Sequence, residues 1–185
     1  MLRKRHFMYY VVQVKTGKEE KTIEAIKKQL GNDLDAFDVF APYRKSLRKY
    51  KGEFREVIER CFPGYVFVET DVPKDLFFHL FWVPEFTKLL GREGLTYNFV
   101  PLNNDEARVI DILYSRNSDR ITEISDIIVH EGQIVRVVDG PLEGFLTKIK
   151  KVNLHKRTVI VEYMLCGRLV SSVLSINIIT DLINN

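Results

Sequence analysis

The sequence predicts an α+β fold in which an N-terminal part that mixes strands and helices precedes a small β-barrel. Residues 1–116 alternate between apolar, β-branched runs and segments whose apolar residues recur at helical spacing. From about Ile127 onward, Val and Ile are dense and Gly or Asn interrupts them at close intervals, a pattern typical of short barrel strands. A polar stretch without periodicity at 117–127 separates the two parts and is expected to be a linker.

Each element of the N-terminal part follows from a local signal. Aromatic and β-branched runs predict strands, and apolar residues three and four apart predict helices. Asn103 and Glu106 have the spacing of a capping box and predict the start of the last helix. The expected strands are 7–14, 37–41, 65–68 and 86–90, and the expected helices are 18–30, 71–83 and a third after residue 103.

A basic segment at 43–60 and the C-terminal part complete the prediction. Tyr50-Lys51-Gly52 interrupts the basic segment and predicts a β-hairpin with a glycine at its tip. Turn residues separate four runs that are expected to be the barrel strands: 133–138, 145–152, 158–164 and 168–173.

Composition excludes several classes of protein. The 185 residues are 45% hydrophobic and carry a net charge of +3, as in an ordinary globular protein. No run approaches the roughly 20 apolar residues of a membrane helix, and no signal peptide is expected. Cys61 and Cys166 lie far apart, which argues against a zinc site and a disulfide framework and favours a reducing, cytoplasmic location. A monomer without cofactor, metal or membrane partner is expected.

Three motifs occur in a recognisable order along the chain. They are YYVVQ at 9–13, FPGYVFV at 62–68 and EGQIVRVVDGP at 131–141, followed late in the barrel by Gly167-Arg168. In this order and at these separations the sequence resembles the NusG family of transcription elongation factors over almost its whole length. The resemblance implies an NGN domain at 1–116, with an antiparallel sheet flanked by helices, a linker at 117–127 and an SH3-like KOW barrel at 128–185.

The resemblance also implies a binding surface for the clamp helices of RNA polymerase. The family positions that line this surface match Tyr9, Phe62 and Tyr65, and Pro63-Gly64 forms the turn between the latter two. Rigid aromatic side chains suit an apolar groove, because they bury a large area at low entropic cost. Tyr10 and Phe67, in contrast, are expected to be core residues.

Basic residues cluster in the barrel and predict a nucleic-acid contact. Lys148 and Lys150 alternate within the expected strand 145–152 and would project from one face of it. Concentrated cations suit a phosphate backbone, although a solvated strand face that protects a sheet edge has the same appearance. The residues assigned to nucleic acid are Lys148, Lys150, Lys151, His155, Lys156, Arg157 and Arg168.

The hairpin at 43–60 is a second candidate contact. If the NGN domain binds the clamp, its cations could reach upstream or non-template DNA. Glu53, Glu56 and Glu59 could instead pair with them across the hairpin. The cations concerned are Arg44, Lys45, Arg48, Lys49 and Lys51.

Two departures from the family pattern indicate a specialised member. The family's general factor has an exposed Phe before the barrel's Gly-Arg, which contacts Rho or a ribosomal protein, and here Cys166 stands in that place. Thr147 replaces the usual KOW glycine. Within the family the sequence resembles the LoaP class of antiterminators, and this resemblance implies that the barrel binds an RNA hairpin in the nascent transcript. A general NusG that couples polymerase to Rho or the ribosome is the alternative, and a ribosome-associated KOW protein is a third.

Enzymatic activity is not expected. The chain has no P-loop, GxGxxG or HExxH motif, and its four histidines lack metal-ligand spacing. Neither cysteine has a nearby candidate base, and His79 lies in an apolar helix where a packing role is expected.

Overall fold

A computed structural model describes residues 8–83, 88–89, 100–114 and 119–179. These residues form two compact units. The first is drawn from the chain up to residue 42, from 62–108 and from 165–168, and the second from 43–61, 109–164 and the chain from 169 onward. The units are defined by packing, so the expected division into domains at residues 116 and 127 stays a prediction. Among the described residues, no helix is long and apolar enough to span a membrane.

The secondary structure contains twelve strands and three α-helices within the described residues. The strands are β1 Met8–Gln13, β2 Phe37–Phe40, β3 Tyr43–Tyr50, β4 Glu53–Arg60, β5 Tyr65–Thr70, β6 Lys88–Leu89, β7 Ile121–Thr122, β8 Ser125–His130, β9 Gln133–Asp139, β10 Ile149–Asn153, β11 Thr158–Leu165 and β12 Arg168–Ile178. The helices are α1 Glu19–Leu30, α2 Pro73–Phe81 and α3 Asn104–Tyr114, with two 3₁₀ helices at Gly31–Ala36 and Pro141–Lys148.

The first unit is a helix-covered antiparallel sheet in the order β2-β5-β1-β6. The central strand β5 pairs with β1 on one side and with β2 on the other. Alternate residues of these strands, such as Tyr10, Val39 and Val66, form one core with the apolar faces of α1 and α2. The helical spacing of Ile23, Ile26 and Leu30 places all three in that core, because residues three and four apart share a helix face.

The capping box predicted for α3 is present. The side-chain oxygen of Asn103 accepts a hydrogen bond from the Glu106 amide at 3.0 Å, and the Glu106 carboxylate accepts one from the Asn103 amide at 3.1 Å. Two amides that the first helical turn leaves unpaired are thereby satisfied.

The second unit contains two sheets. In the three-stranded one, β3 pairs with β4 as an antiparallel hairpin and with β7 in parallel. The other has the order β10-β11-β12-β8-β9, in which β8 and β12 run parallel. These strands form the C-terminal barrel-type part of the fold, so the predicted α+β class is confirmed.

The structure of the second unit departs from one expectation and adds detail to another. The strand expected at 145–152 is wrong over its first half, because a 3₁₀ helix occupies Pro141–Lys148 and the strand begins only at Ile149. Leu142 and Phe145 are fully buried and lie three residues apart, which is the period of a 3₁₀ helix. Within the expected linker 117–127, β7 pairs with β3 and β8 begins at Ser125.

Candidate functional sites

Aromatic side chains line the sheet face of the first unit that lies opposite its helices. Tyr9 and Phe40 meet edge to face with ring centroids 6.5 Å apart, and Phe40 stacks on Phe67 at 5.8 Å. Phe62 contacts Phe67 at 5.5 Å. Phe67 is fully buried and Tyr9 is 8% exposed, whereas Phe62 and Tyr65 are half-buried. Of the predicted polymerase-binding aromatic residues, Phe62 and Tyr65 therefore offer more accessible surface than Tyr9.

The Phe62-Pro63-Gly64-Tyr65 segment, which we call the aromatic turn, is held by a buried carboxylate. Glu19 is 0% exposed, and its Oε1 atom accepts a hydrogen bond from the Gly64 amide at 2.7 Å. Gly64 has a φ of +85°, and a Cβ added there would lie 2.9 Å from the Thr16 hydroxyl oxygen. Glycine is thus required both by conformation and by space. Pro63 is exposed at the tip of the turn.

In the hairpin, Glu59 forms ion pairs with two of the arginines that the sequence assigned to DNA contact. Arg48 donates from Nε to Oε1 of Glu59 at 2.9 Å and also from Nη2, and Arg44 donates from Nη2 to Oε2 at 3.4 Å. Ser46 donates its hydroxyl to Oε2 at 3.1 Å. The hydrogen bonds from Arg48 are the main reason that the pKa of Glu59 lies below its ordinary value.

A cavity of about 580 Å³ lies in the second unit between the hairpin and the sheet that contains β11 and β12. We call it the basic cleft. Its lining brings together residues that the sequence placed in two separate clusters more than a hundred positions apart. The lining residues are Arg44, Ser46, Leu47, Arg48, Lys49, Phe54 and Glu59 from the hairpin, and His155, Lys156, Thr158, Val173 and Ser175 from the C-terminal part.

Other predicted nucleic-acid residues have local partners or stand apart from this cleft. Lys45 pairs with Glu123 at 2.8 Å, and that hydrogen bond raises the pKa of Lys45. The expectation that Lys148 and Lys150 share one strand face is wrong, since Lys148 ends the 3₁₀ helix while Lys150 lies on β10. The Lys148 ammonium lies 5.8 Å from the Phe145 ring centroid, and Lys150 pairs with Glu162 at 3.6 Å. Three further predicted cations are exposed: Lys51, Lys151 and Arg168.

The two cysteines are unsuited to nucleophilic chemistry at neutral pH. Burial raises the pKa of the Cys61 thiol, and burial together with the charge of Glu106 raises the pKa of Cys166 to about 11. A thiol with a raised pKa holds little of the reactive thiolate. Within 8–83, 88–89, 100–114 and 119–179, no group of His, Cys, Asp or Glu side chains is placed to hold a metal ion.

Sequence reasoning missed two residues of these sites. Glu19 follows a charged residue at the start of an amphipathic helix and reads as solvent-exposed, so its burial beneath the aromatic turn has no local signal. Phe54 did have a local signal in the sequence, because it is an aromatic residue within the charged segment Glu53–Arg60. Aromatic residues interleaved with cations are typical of nucleic-acid surfaces.

Comparison with known proteins identifies the family. Residues 7–111 match the family model described as NusG, transcription termination factor nusG. This match covers more than half of the chain, and the α+β fold with a strand-rich C-terminal part agrees with it. The chain belongs to the NusG family. Proteins of this family are transcription factors and not enzymes.

Curated relatives match over most of the chain. The transcription termination/antitermination protein NusG of Lactococcus lactis is 31% identical over 157 residues, which are 83% of each protein. Its counterpart in Xylella fastidiosa is 30% identical over 173 residues, covering 86% of this chain and 91% of the relative. A structure of Thermotoga maritima NusG, solved in a study of its domain interaction, covers 92% of this chain and 94% of its own. With a TM-score of 0.52 and 24% identity, it shows the likeness in fold.

Proposed function

We propose that the chain is a cytoplasmic transcription elongation factor that binds the clamp helices of RNA polymerase and a hairpin in nascent RNA, and so promotes read-through of terminators. Factors of the NusG family interact with RNA polymerase, and the curated relatives are termination/antitermination proteins. The proposal assigns polymerase binding to the aromatic turn and RNA binding to the cations of the C-terminal part.

The observation that carries polymerase binding is the presentation of the aromatic turn. Phe62 and Tyr65 are half-buried, so each ring is supported on one side and accessible on the other. The buried Glu19 carboxylate holds the backbone between them in one conformation. Aromatic anchors that are already ordered lose little entropy on binding an apolar helix tip.

Replacement of Tyr65 tests this assignment. We expect Tyr65→Ala to weaken binding of the full chain to core RNA polymerase by roughly thirtyfold, because it removes a central anchor of the interface. Binding is measured by interferometry, and the circular dichroism spectrum should be unchanged. Tyr50→Ala, at a tyrosine that is 53% exposed in the hairpin, is the matched control and should bind like the wild type. Wild-type affinity of Tyr65→Ala would refute the assignment.

The general NusG function, coupling polymerase to Rho or the ribosome, is the second candidate. The names of the curated relatives, which join termination to antitermination, favour it. The sequence favours antitermination, because Cys166 at the turn between β11 and β12 cannot supply the aromatic anchor of the general factor. In transcription through a terminator with purified polymerase, an antiterminator raises read-through without Rho. A general factor instead requires Rho or a ribosomal protein, and a pull-down with the full chain detects either partner.

A further inference from the structure

The basic cleft has an aromatic platform as well as charge. The guanidinium carbon of Arg157 lies 5.3 Å from the centroid of the Phe54 ring, and the Lys49 ammonium lies 6.0 Å from the same centroid. Phe54 is half-buried and lines the cavity. Aromatic rings and Arg guanidinium planes are the surfaces on which proteins stack unpaired bases.

The turn between β10 and β11 is fixed in the conformation that places its cations at the cleft. Asn153 accepts a hydrogen bond from the Lys156 amide at 2.9 Å, and the Arg157 amide donates to the Leu154 carbonyl at 3.2 Å. The Arg157 backbone has a φ of +55°, in the left-handed region that residues other than glycine uncommonly adopt. Its carbonyl accepts from the Ile176 amide at 3.0 Å. The site is therefore organised before a ligand arrives.

Two buried nitrogens in this region lack hydrogen-bond acceptors. Nε of Arg44 and Nη1 of Arg157 have no acceptor among the described residues. Arg44 is otherwise anchored, since its Nη1 donates to the Val173 carbonyl at 3.1 Å. The cleft lining holds four cations against the single carboxylate of Glu59. Glu59 keeps Arg44 and Arg48 in place without neutralising the site, so an anionic ligand still meets excess positive charge.

We infer that the basic cleft binds an unpaired nucleotide of single-stranded RNA, with its base stacked on the Phe54 ring that Arg157 contacts and its phosphates on Arg48, Lys49 and Lys156. The inference rests on the proposed RNA-binding function and places the specific contact in the cleft rather than at Lys148, Lys150 and Lys151. Neither the family match nor the named relatives assign a role to this cavity.

Size and lining chemistry favour this ligand. A volume of about 580 Å³ is within the range of small-molecule pockets and accommodates one nucleotide rather than a duplex. The cleft lining also includes the hydroxyl of Thr158, beside those of Ser46 and Ser175, which already bond Glu59 and the Leu47 amide. Hydroxyls can exchange hydrogen bonds with the ribose 2′-OH, the group by which a protein distinguishes RNA from DNA. A loop nucleotide of an RNA hairpin meets all of these requirements.

Fluorescence anisotropy with the full chain tests the inference. The probes are hairpin RNAs that share one stem and carry a loop of only U, A, C or G, the same stem as a blunt duplex, and DNA hairpins of matching sequence. We expect Phe54→Leu, which keeps an apolar side chain without the ring, to weaken binding of at least one loop RNA roughly tenfold. Its affinity for the blunt duplex should be unchanged.

A triple variant tests the phosphate contacts. We expect Arg48→Gln, Lys49→Gln and Lys156→Gln together to reduce the slope of log affinity against log salt by about two, at roughly 0.7 per lost contact on a single strand. The matched control removes three exposed cations from the first unit, Lys18, Lys27 and Lys28, and should retain the wild-type slope and affinity. Circular dichroism and urea unfolding establish that every variant is folded.

Several results would overturn the inference. Wild-type loop affinity in both cleft variants would do so, as would equal affinity for the DNA hairpins or no RNA binding by the wild type. If only a variant with Lys148, Lys150 and Lys151 changed to Gln loses RNA binding, these three lysines bind the RNA and the cleft does not. Failure of the proposed function is a separate result, since read-through with purified polymerase is measured independently of these affinities.

Discussion

The aromatic turn of the first unit and the basic cleft of the second are organised by carboxylates in opposite ways. Glu19 is 0% exposed and fixes a backbone amide, whereas the Glu59 side chain is 24% exposed and fixes two guanidinium groups. A buried hydrogen bond is costly to lose, while a solvated ion pair contributes little to stability. The aromatic turn therefore depends on a buried contact, whereas we expect charges in the basic cleft to be replaceable with little loss of stability.

The largest expected effect is on the aromatic face of the first unit. We expect Phe67→Ala to lower the free energy of unfolding by about 3–5 kcal/mol, because Phe67 is fully buried and its loss opens a cavity between Phe40 and Phe62. Urea unfolding measures it. Phe78→Ala, at a phenylalanine that is 64% exposed on α2, is the control and should change the free energy by no more than about 0.5 kcal/mol. Equal effects of the two variants would contradict the assignment of Phe67 to the core.

An intermediate effect is expected at the carboxylate beneath the aromatic turn. Glu19→Ala leaves the Gly64 amide without this acceptor, so the free energy of unfolding should fall by about 1–3 kcal/mol and polymerase affinity should fall with it. Urea unfolding and interferometry measure the two quantities. Glu24→Ala, an exposed glutamate on the same helix, should change neither. Loss of stability without loss of polymerase affinity would separate Glu19 from the binding site.

The smallest effect is expected in the basic cleft and depends on pH. Because the pKa of Glu59 is lowered in the folded chain, its charge stabilises the fold above the ordinary glutamate pKa of about 4.3, and this contribution is lost as the pH falls further. Glu59→Gln should therefore lower the free energy of unfolding at pH 7 by no more than about 1 kcal/mol. The difference from the wild type should shrink below pH 4. A difference that grows on acidification would show that another group is responsible.

Local patterns in the sequence predicted most of the fold. The spacing of Asn103 and Glu106 specified the capping box, and Tyr50-Lys51-Gly52 located the hairpin tip between β3 and β4. The prediction failed at 145–152, where Phe145 was taken as the start of a strand. Leu142 lies three positions before Phe145 and is buried with it, which gives the 3₁₀ period. It falls in the segment that begins with Pro141, which the sequence indicated to be a turn. Apolar runs of this length do not distinguish a strand from a tight helix without their packing.

The candidate sites were less predictable for a physical reason. The aromatic turn is contiguous in sequence, so its residues could be named, but the Glu19 carboxylate that holds it comes from a helix 45 positions earlier. The basic cleft joins Arg44, Arg48 and Lys49 to His155 and Lys156. Each group was recognised as basic, but only the tertiary structure shows that they share one cavity with Phe54. Long-range proximity of this kind has no signature in a single sequence.

The position of the hairpin in the sheet topology has an evolutionary consequence. Strands β2 and β5 are antiparallel neighbours, paired from Phe37 with Thr70 to Phe40 with Phe67, and the whole hairpin lies within the connection between them. Insertions or deletions in this arm leave that pairing register intact, and each doubling of a connection's length costs only about 0.6 kcal/mol of closure entropy. The length and sequence of this arm can therefore vary among related chains while the pairing of β2 with β5, and with it the sheet of the first unit, is kept.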